Sequence, residues 1–319
     1  MLFLYLFRFA VFIYTCQLQK NIAPYAVSLV RSRCGSPNIL PVVNNFKNNW
    51  NPPSSRFTVC GPILHNKYND QNELVEMVET NGLFGADHFV FYNYSTGADI
   101  QAYLRKYKSE GVADIVQWPL PPELVDSHSH YGGIHYFGQL ASLNDCLYRN
   151  LYKAKFIAVL DLDELLVPKS FNNWSAVISS LPNRPHPKIC SAVFRNTFFR
   201  IDWSQPSVFS DREESVARDF GIKSLLTTLR ERAIWSHGLR SKYIADTSRL
   251  EMAGIHLPWK CIKERYNYDV STSVALLHHY RSWSSQVPQD AVQDISIFLY
   301  KENILQRIVN RHHKVRSAL

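Results

Sequence analysis

Two aspartates, Asp161 and Asp163, stand two residues apart at the end of an apolar run in the segment FIAVLDLDELLV (156–167). The run FIAVL (156–160) reads as a strand buried on both faces. In sheets of parallel strands, ligands bind at the carboxyl ends. Side chains at i and i+2 of an extended chain share a side, so Asp161 and Asp163 are expected to converge on one cation while the extension persists. Hard divalent ions favour carboxylate oxygen and keep positions open for substrate phosphates. There they neutralise a diphosphate leaving group. The plain alternative is a strand end whose acids cap the following turn.

The elements that must position this strand end alternate regularly. FTVCGPIL (57–64) is a β-rich run, and ELVEMVETNGLFG (73–85) carries Leu74, Met77, Val78 and Leu83 at near-helical spacing. DHFVFYNYS (87–95) reads as a second strand, ADIQAYLRKYKSEG (98–111) as an amphipathic helix with a glycine stop, and VADIVQWPL (112–120) as a third strand. HYFGQLASLNDCLYRNLYK (135–153) is the helix that leads into the aspartate strand. This β-α-β-α-β order predicts an α/β fold with a mostly parallel sheet flanked by helices. Further on, SAVFRNTFFRIDW (191–203) reads as one strand, followed by a polar stretch to about Arg232. LRSKYIAD (239–246), MAGIHLPW (252–259) and VALLHHYRSW (274–283) come next, the last a strand ending in histidines.

The bulk numbers agree with a globular chain. Its 319 residues suffice for one large α/β domain, and 46% apolar with 13% aromatic residues excludes disorder. The net charge of +8 is scattered, which argues against a nucleic-acid patch and for a solvated face. The domain is expected over residues 57–300, with a basic C-terminal tail at 301–319. Residues 1–18 are almost wholly apolar and are expected to be a signal-anchor or cleavable signal peptide. Residues 19–56, rich in Asn, Pro and Ser, read as a stem or linker. Two sequons begin at Asn93 and Asn173, and six cysteines lack any CxxC, so an oxidising compartment would let some pair, with connectivity left open.

An apolar strand followed by DLDE is similar to the first motif of haloacid-dehalogenase-type phosphatases, which would make Asp161 a nucleophile. Glu164 stands where that motif usually has Thr or Val, and the chain holds no Asp-Asp pair for magnesium. The longer stretches VCGPILHNKYNDQNELVEMVETNGLFGADHFVFYNYS, YFGQLASLNDCLYRNLYKAKFIAVLDLDELLVP, LRSKYIADTSRLEMAGIHLPW and LLHHYR resemble glycosyltransferase family 92, over roughly residues 57 to 283. The resemblance implies a GT-A (Rossmann-like) fold and inverting transfer of a sugar, often galactose, from a UDP-sugar to a glycan acceptor. It also implies manganese and a type II membrane protein of the Golgi. A non-catalytic glycan-binding relative is the other alternative. Where the family usually carries a glutamate-tryptophan-leucine type of helix end and a following histidine, this chain has Val75-Glu76-Met77 and Asn81, and Leu165 replaces the usual Phe.

On this resemblance, Asp161 and Asp163 form the metal and sugar-nucleotide site, with Asp163 the firmer ligand. A late histidine completes such sites; His256, His278 and His279 compete, with His256 and His279 preferred. Gln139, Asn144 and Asp145 on the preceding helix are expected to bind the nucleotide or brace the metal loop, although Gln139 and Asn144 lie about 140° apart on it. Cys60, Gly61, Tyr92 and Asn93 end the first two strands, where the base would sit; a glycan on Asn93 is incompatible with that role. Glu214, in SDREES (210–215), is the candidate base for the acceptor hydroxyl, with Asp202 and Glu213 behind it.

Overall fold

The computed structural model describes residues 9–19, 22–30, 38–42, 53–125, 133–182, 188–283 and 290–318. Its strands and helices run in the order β1 (Ala26–Ser28), β2 (Ile39–Pro41), β3 (Ser55–Leu64), α1 (Gln71–Phe84), β4 (His88–Asn93), α2 (Ala98–Ser109) and β5 (Ala113–Gln117). Then come α3 (Gln139–Asn150), β6 (Ala154–Val159), β7 (Glu164–Pro168), α4 (Trp174–Ser180), β8 (Ile189–Phe194) and β9 (Asn196–Arg200). The rest are α5 (Asp211–Asp219), α6 (Lys223–Leu226), β10 (Leu229–Arg230), β11 (Lys242–Asp246), β12 (Leu250–Met252) and β13 (Lys260–Cys261). The chain closes with β14 (Tyr266–Asp269), β15 (Ala275–Arg281), β16 (Val292–Gln293) and α7 (Lys301–Arg316).

The main sheet has seven strands in the order β14-β8-β11-β6-β3-β4-β5. Only β11 runs against the rest: β3 is parallel to β4 and β6, β4 to β5, and β14 to β8, while β11 is antiparallel to β6 and β8. This is the α/β architecture with a mostly parallel sheet and flanking helices that the alternation predicts. A second sheet, β16-β10-β9-β15-β7, was not foreseen. The segment 191–203, expected as one strand, is two: β8 lies in the main sheet, Arg195 breaks the run, and β9 enters the second sheet. Both halves are uniformly buried, so their apolar pattern carries no sign of the crossing.

The two sheets meet at the aspartates. β6 belongs to the first sheet and β7 to the second, and the chain passes between them through Leu160–Asp163. Asn81 locks this passage from α1. Its amide nitrogen donates to the Glu164 carbonyl at 3.3 Å, and its Oδ1 accepts from the Leu166 N–H at 3.3 Å. It thereby satisfies backbone groups that burial would otherwise leave costly. Glu76, also buried on α1, accepts from the N–H groups of Lys223 and Ser224 at 3.0 and 2.7 Å and so caps α6.

The basic tail expected at 301–319 is instead helix α7, with Ile304, Ile308 and Val315 buried. Arg311 bonds Glu79 at 2.7 Å and lies over the Tyr107 ring, so part of the basic charge is internal. A tail reading misses it because a helix whose polar face carries Lys and Arg looks the same in composition. Within the expected stem, β1 and β2 pair as a small antiparallel ribbon, and the domain's first strand begins at Ser55. Of the apolar N-terminal segment, residues 1–8 lie outside the described residues. Phe9 bridges to Ile134, and no helix among the described residues is long and apolar enough to cross a membrane.

Among the described residues two disulfides form, Cys60–Cys146 and Cys190–Cys261. Cys60–Cys146 ties β3 to α3 across 86 residues of chain. Replacing both of its cysteines with serine is expected to lower stability by about 2–5 kcal/mol, because the unfolded chain regains the freedom of a long loop. Urea denaturation under oxidising conditions measures this; a change below about 1 kcal/mol would show that the bridge constrains little.

Candidate functional site

A cleft of about 1080 Å³ opens where the loop after β6 meets the second sheet. Four expected ligands, Asp161, Asp163, His256 and His279, all line it, as does Gln139. The structure divides them into two clusters, because residues 161–163 turn rather than extend. The condition for Asp161 and Asp163 to point together therefore fails, and each finds its own partner.

Asp161 belongs to the first cluster. Lys242, the first residue of β11, has no solvent exposure, and its Nζ lies 2.6 Å from Asp161 Oδ2 and 3.2 Å from Glu164 Oε2. Glu164 Oε2 also accepts the Asp161 backbone N–H at 2.8 Å, and Gln139 reaches Asp161 Oδ1 at 3.4 Å. Burial opposes the Lys242 ammonium, but Asp161 and Glu164 outweigh it and hold its pKa well above the ordinary lysine value. Burial drives Glu164 the other way, to about 7, with Lys242 working against the rise and Asp161 adding to it. A buried cation with two carboxylates is a costly construction that is retained only when fully paired.

The second cluster is built by strand register. In the second sheet, His279 on β15 stands opposite Glu164 on β7 and Phe198 on β9. The Tyr280 N–H donates to the Asp163 carbonyl at 2.9 Å, which draws the turn against β15. His279 Nε2 then lies 3.0 Å from Asp163 Oδ2, and its Nδ1 is 3.4 Å from Glu164 Oε1 without forming a hydrogen bond. Burial disfavours the His279 imidazolium, yet Asp163 and the neighbouring acids raise its pKa above the usual value. Burial likewise opposes the Asp163 carboxylate, and His279, Arg281 and Lys242 bring its pKa down instead.

Strand alternation settles the choice between the adjacent histidines. His278 points to the opposite face, stacked on Phe199 with ring centroids 4.2 Å apart, and burial lowers its pKa to about 3. His256 opens onto the cleft from the turn after Gly254, where an added Cβ would come within 2.3 Å of the Leu257 carbonyl oxygen. Its Nδ1 lies 3.3 Å from the Ser241 carbonyl, so Nδ1 carries the proton and Nε2 keeps its lone pair. Desolvation, then Lys242, depresses its pKa to about 4, and the ring is neutral at neutral pH.

Several expected nucleotide contacts are framework. Cys60 is fully buried in its disulfide. Gly61 makes room for Phe91, whose ring would lie 2.8 Å from an added Cβ. Tyr92 is buried and donates to Asp145 Oδ2 at 2.7 Å, while Asp145 also pairs with Arg149. Asn144 donates to the Ala253 carbonyl at 3.1 Å and accepts the Ala253 N–H at 2.9 Å, bracing the segment that carries His256. None of these residues lines the cleft, nor does Asn93. Their positions at strand ends and on one helix explain the expectation; in the structure a disulfide and these hydrogen bonds occupy their side chains.

Glu214 is also displaced. It sits on α5 bound to Ser207 and Arg218, outside the cleft. Glu213 pairs with Lys301, and Asp202 with Arg200. Acid-rich composition marked a helix N-terminus with a capping box between Ser210 and Glu213. The residues missed in the sequence are Lys242 and Glu164. Lys242 left one signal, a lone cation opening an apolar strand.

The donor set fits a divalent cation. An oxygen and a nitrogen 3.0 Å apart, Asp163 Oδ2 and His279 Nε2, span one edge of an octahedron with bonds of about 2.1 Å. Among the described residues no three His, Cys, Asp or Glu side chains converge on one point. Two protein ligands suit an ion that takes its remaining positions from water and substrate phosphates.

Comparison with known proteins gives a match to the sequence model of glycosyltransferase family 92 over residues 55–316, from β3 to the end of α7. A glycosyltransferase family 92 protein of Caenorhabditis elegans is 25% identical over 201 residues, 62% of this chain and 37% of that protein. The beta-1,4-galactosyltransferase galt-1 of the same organism is 29% identical over 115 residues, 35% of this chain and 25% of that protein. The chain thus spans well under half the length of these relatives. Among solved structures, S. aureus TarS is 12% identical with a TM-score of 0.33, covering 81% of this chain and 72% of that one. Glucosyl-3-phosphoglycerate synthase of Mycobacterium tuberculosis, solved with Mn2+, UDP and phosphoglyceric acid, is 13% identical with a TM-score of 0.29, covering 81% and 78%. Likenesses this distant bear on no individual residue.

Proposed function

The chain belongs to glycosyltransferase family 92, and from that premise we propose that it transfers a sugar, galactose in our reading, from a UDP-sugar to a glycan acceptor with inversion. The observation that carries this reading is the cleft at the carboxyl end of β6, where Asp163 meets His279 beside an Asp161 clamped by Lys242. The relative named as a beta-1,4-galactosyltransferase supports galactose.

In this reading Asp163 and His279 hold a divalent cation, manganese by family resemblance, with the neutral His256 close by. The ion supplies Lewis-acid stabilisation of the departing diphosphate. The chain's own residues do the rest. Lys242 and Gln139 orient Asp161 so that its remaining lone pairs accept hydroxyls of the donor. Arg240 and Arg281, which line the cleft, face the diphosphate with guanidinium donors. Tyr136 and Phe137 take left-handed φ values of 41° and 56°, a strain that a site wall tolerates when its surroundings enforce it; His135 and Tyr136 thereby border the cleft.

The reading places the protein at a Golgi or other secretory membrane, held by its apolar N-terminal segment as a single-pass type II protein. Two disulfides support an oxidising compartment. The phosphatase alternative, with Asp161 as nucleophile, loses its support to the family match over 55–316.

Incubation with UDP-galactose, Mn2+ and a panel of glycans, followed by measurement of UDP release and product mass, tests the proposal. A hexose added to a glycan is the expected result. Glycan binding with no UDP release would make the chain a non-catalytic relative, and a phosphoenzyme at Asp161 would overturn sugar transfer altogether.

A further inference from the structure

Beside the main cleft lies a second, open pocket of about 260 Å³, walled by Phe198, Trp235 and Trp283 and floored by Arg200, Glu231 and Arg240. Arg240 borders both cavities. Phe198 joins them from below: its ring centroid is 4.7 Å from that of His279, 4.4 Å from Trp283 and 6.0 Å from Trp235, the two indoles nearly perpendicular to it. The charged floor is fixed. The Arg200 side chain is only 6% exposed, paired with Asp202 at 3.1 Å and Glu231 at 3.0 Å, and its guanidinium lies 4.7 Å from the Trp283 ring centroid. Arg240 packs over Phe198 and Trp235 from a left-handed backbone, φ 54°.

The geometry points to this pocket as the subsite for the acceptor, taking a hexose at the end of a glycan. A pyranose has an apolar C–H face, which stacks on indole, and a rim of hydroxyls, which bond to carboxylate and guanidinium. The pocket's lining offers both kinds of surface. Asp202 and Glu231 neutralise Arg200, so the buried guanidinium beneath Trp283 is internally paired, while Arg240 and Arg281, the latter 5.7 Å from the Trp283 ring centroid, stand beside the indoles. Arg240 in the shared wall lets a sugar seated on the indoles direct a hydroxyl toward the Asp163–His279 end of the donor cleft. The inference rests on the sugar-transfer reading for the role of the bound sugar, and on the pocket alone for its binding.

The test uses the full chain with Trp283→Ala and the conservative Trp283→Phe. Thermal melting confirms that each variant is folded. Saturation-transfer NMR with neutral and sialylated oligosaccharides reports sugar binding, and initial rates give acceptor KM and kcat. Trp283→Ala is expected to raise acceptor KM at least about tenfold, with a much smaller change in kcat, and to abolish the saturation-transfer signal. Trp283→Phe should recover most of both. Equal acceptor KM and an undiminished signal in Trp283→Ala would overturn the proposal. If the wild type shows no transfer at all, the transfer reading fails by itself. The subsite is then judged by NMR: a wild-type signal that disappears in Trp283→Ala sustains it, and no signal in the wild type refutes it.

Discussion

Replacing Lys242 with methionine is expected to abolish measurable turnover and to lower stability by about 3–5 kcal/mol, the cost of breaking a buried ion cluster by removing one partner. Lys242 Nζ, without solvent exposure, is held by Asp161 and Glu164 at 2.6 and 3.2 Å. Methionine fills most of the volume but leaves Glu164, itself only 1% exposed, and Asp161 facing each other. Glu164 is cut off from water while Asp161 opens on the cleft, and a second negative charge beside it disfavours the buried carboxylate, so Glu164 takes a proton and Asp161 loses its fixed orientation.

The pH dependence follows with a definite sign. Glu164 already titrates near 7, raised mainly by burial. A raised carboxyl pKa means that the folded state binds the proton more tightly. Its contribution to stability is complete below the ordinary carboxylate value and is lost as pH climbs through 7. Without Lys242 the folded pKa rises further, so the penalty in the variant should be smaller at about pH 5 than at about pH 8. Adding Glu164→Gln and Asp161→Asn to Lys242→Met should restore much of the stability without restoring activity. Urea denaturation at the two pH values, alongside UDP release, makes the comparison. Stability within about 1 kcal/mol of wild type for the single variant would show that the cluster does not work as described.

Asp163→Ala and His279→Ala are expected to reduce turnover by at least about a hundredfold, the scale of losing one main element of transition-state charge stabilisation. Both should weaken Mn2+ binding at least about tenfold, the lower end of the cost of losing even a supporting partner at a metal site. Calorimetric titration with manganese measures this without any substrate. Acid should weaken binding in the wild type, since Asp163 favours the His279 imidazolium and the metal must displace that proton. The variant lacking His279 should show a flatter pH response. Metal affinity equal to wild type in His279→Ala would remove that residue from the site and leave His256 to take the role.

The candidate site was legible in part, for reasons that differ by residue. Asp161 and Asp163 stand out because an apolar run ending in two acids marks a strand end, although a turn cap or a phosphatase nucleophile would give the same local pattern. His279 follows once β15 is placed, since alternation sends His278 to the core face. Lys242 is almost silent: one cation at the start of a strand reads as a solvated edge unless its carboxylate partners, 81 and 78 positions earlier in the chain, are known. Cys60, Tyr92, Asn144 and Asp145 stand at the right places in the chain for a nucleotide, yet a disulfide buries Cys60, hydrogen bonds hold Tyr92 and Asn144 in the interior, and Asp145 is taken up by Tyr92 and Arg149.

By itself, the sequence determined the periodicities: the alternating strands and helices, the buried strand before Asp161 and the family to which the chain belongs. These are local, set by which residues within a few positions share a face. The tertiary structure decided the pairing. Register brought Glu164, His279 and Phe198 into one row, the crossing from β6 to β7 separated Asp161 from Asp163, and β11 delivered Lys242 beneath them. Charge balance in a buried site depends on distances between strands far apart in the chain, and no local pattern encodes those distances.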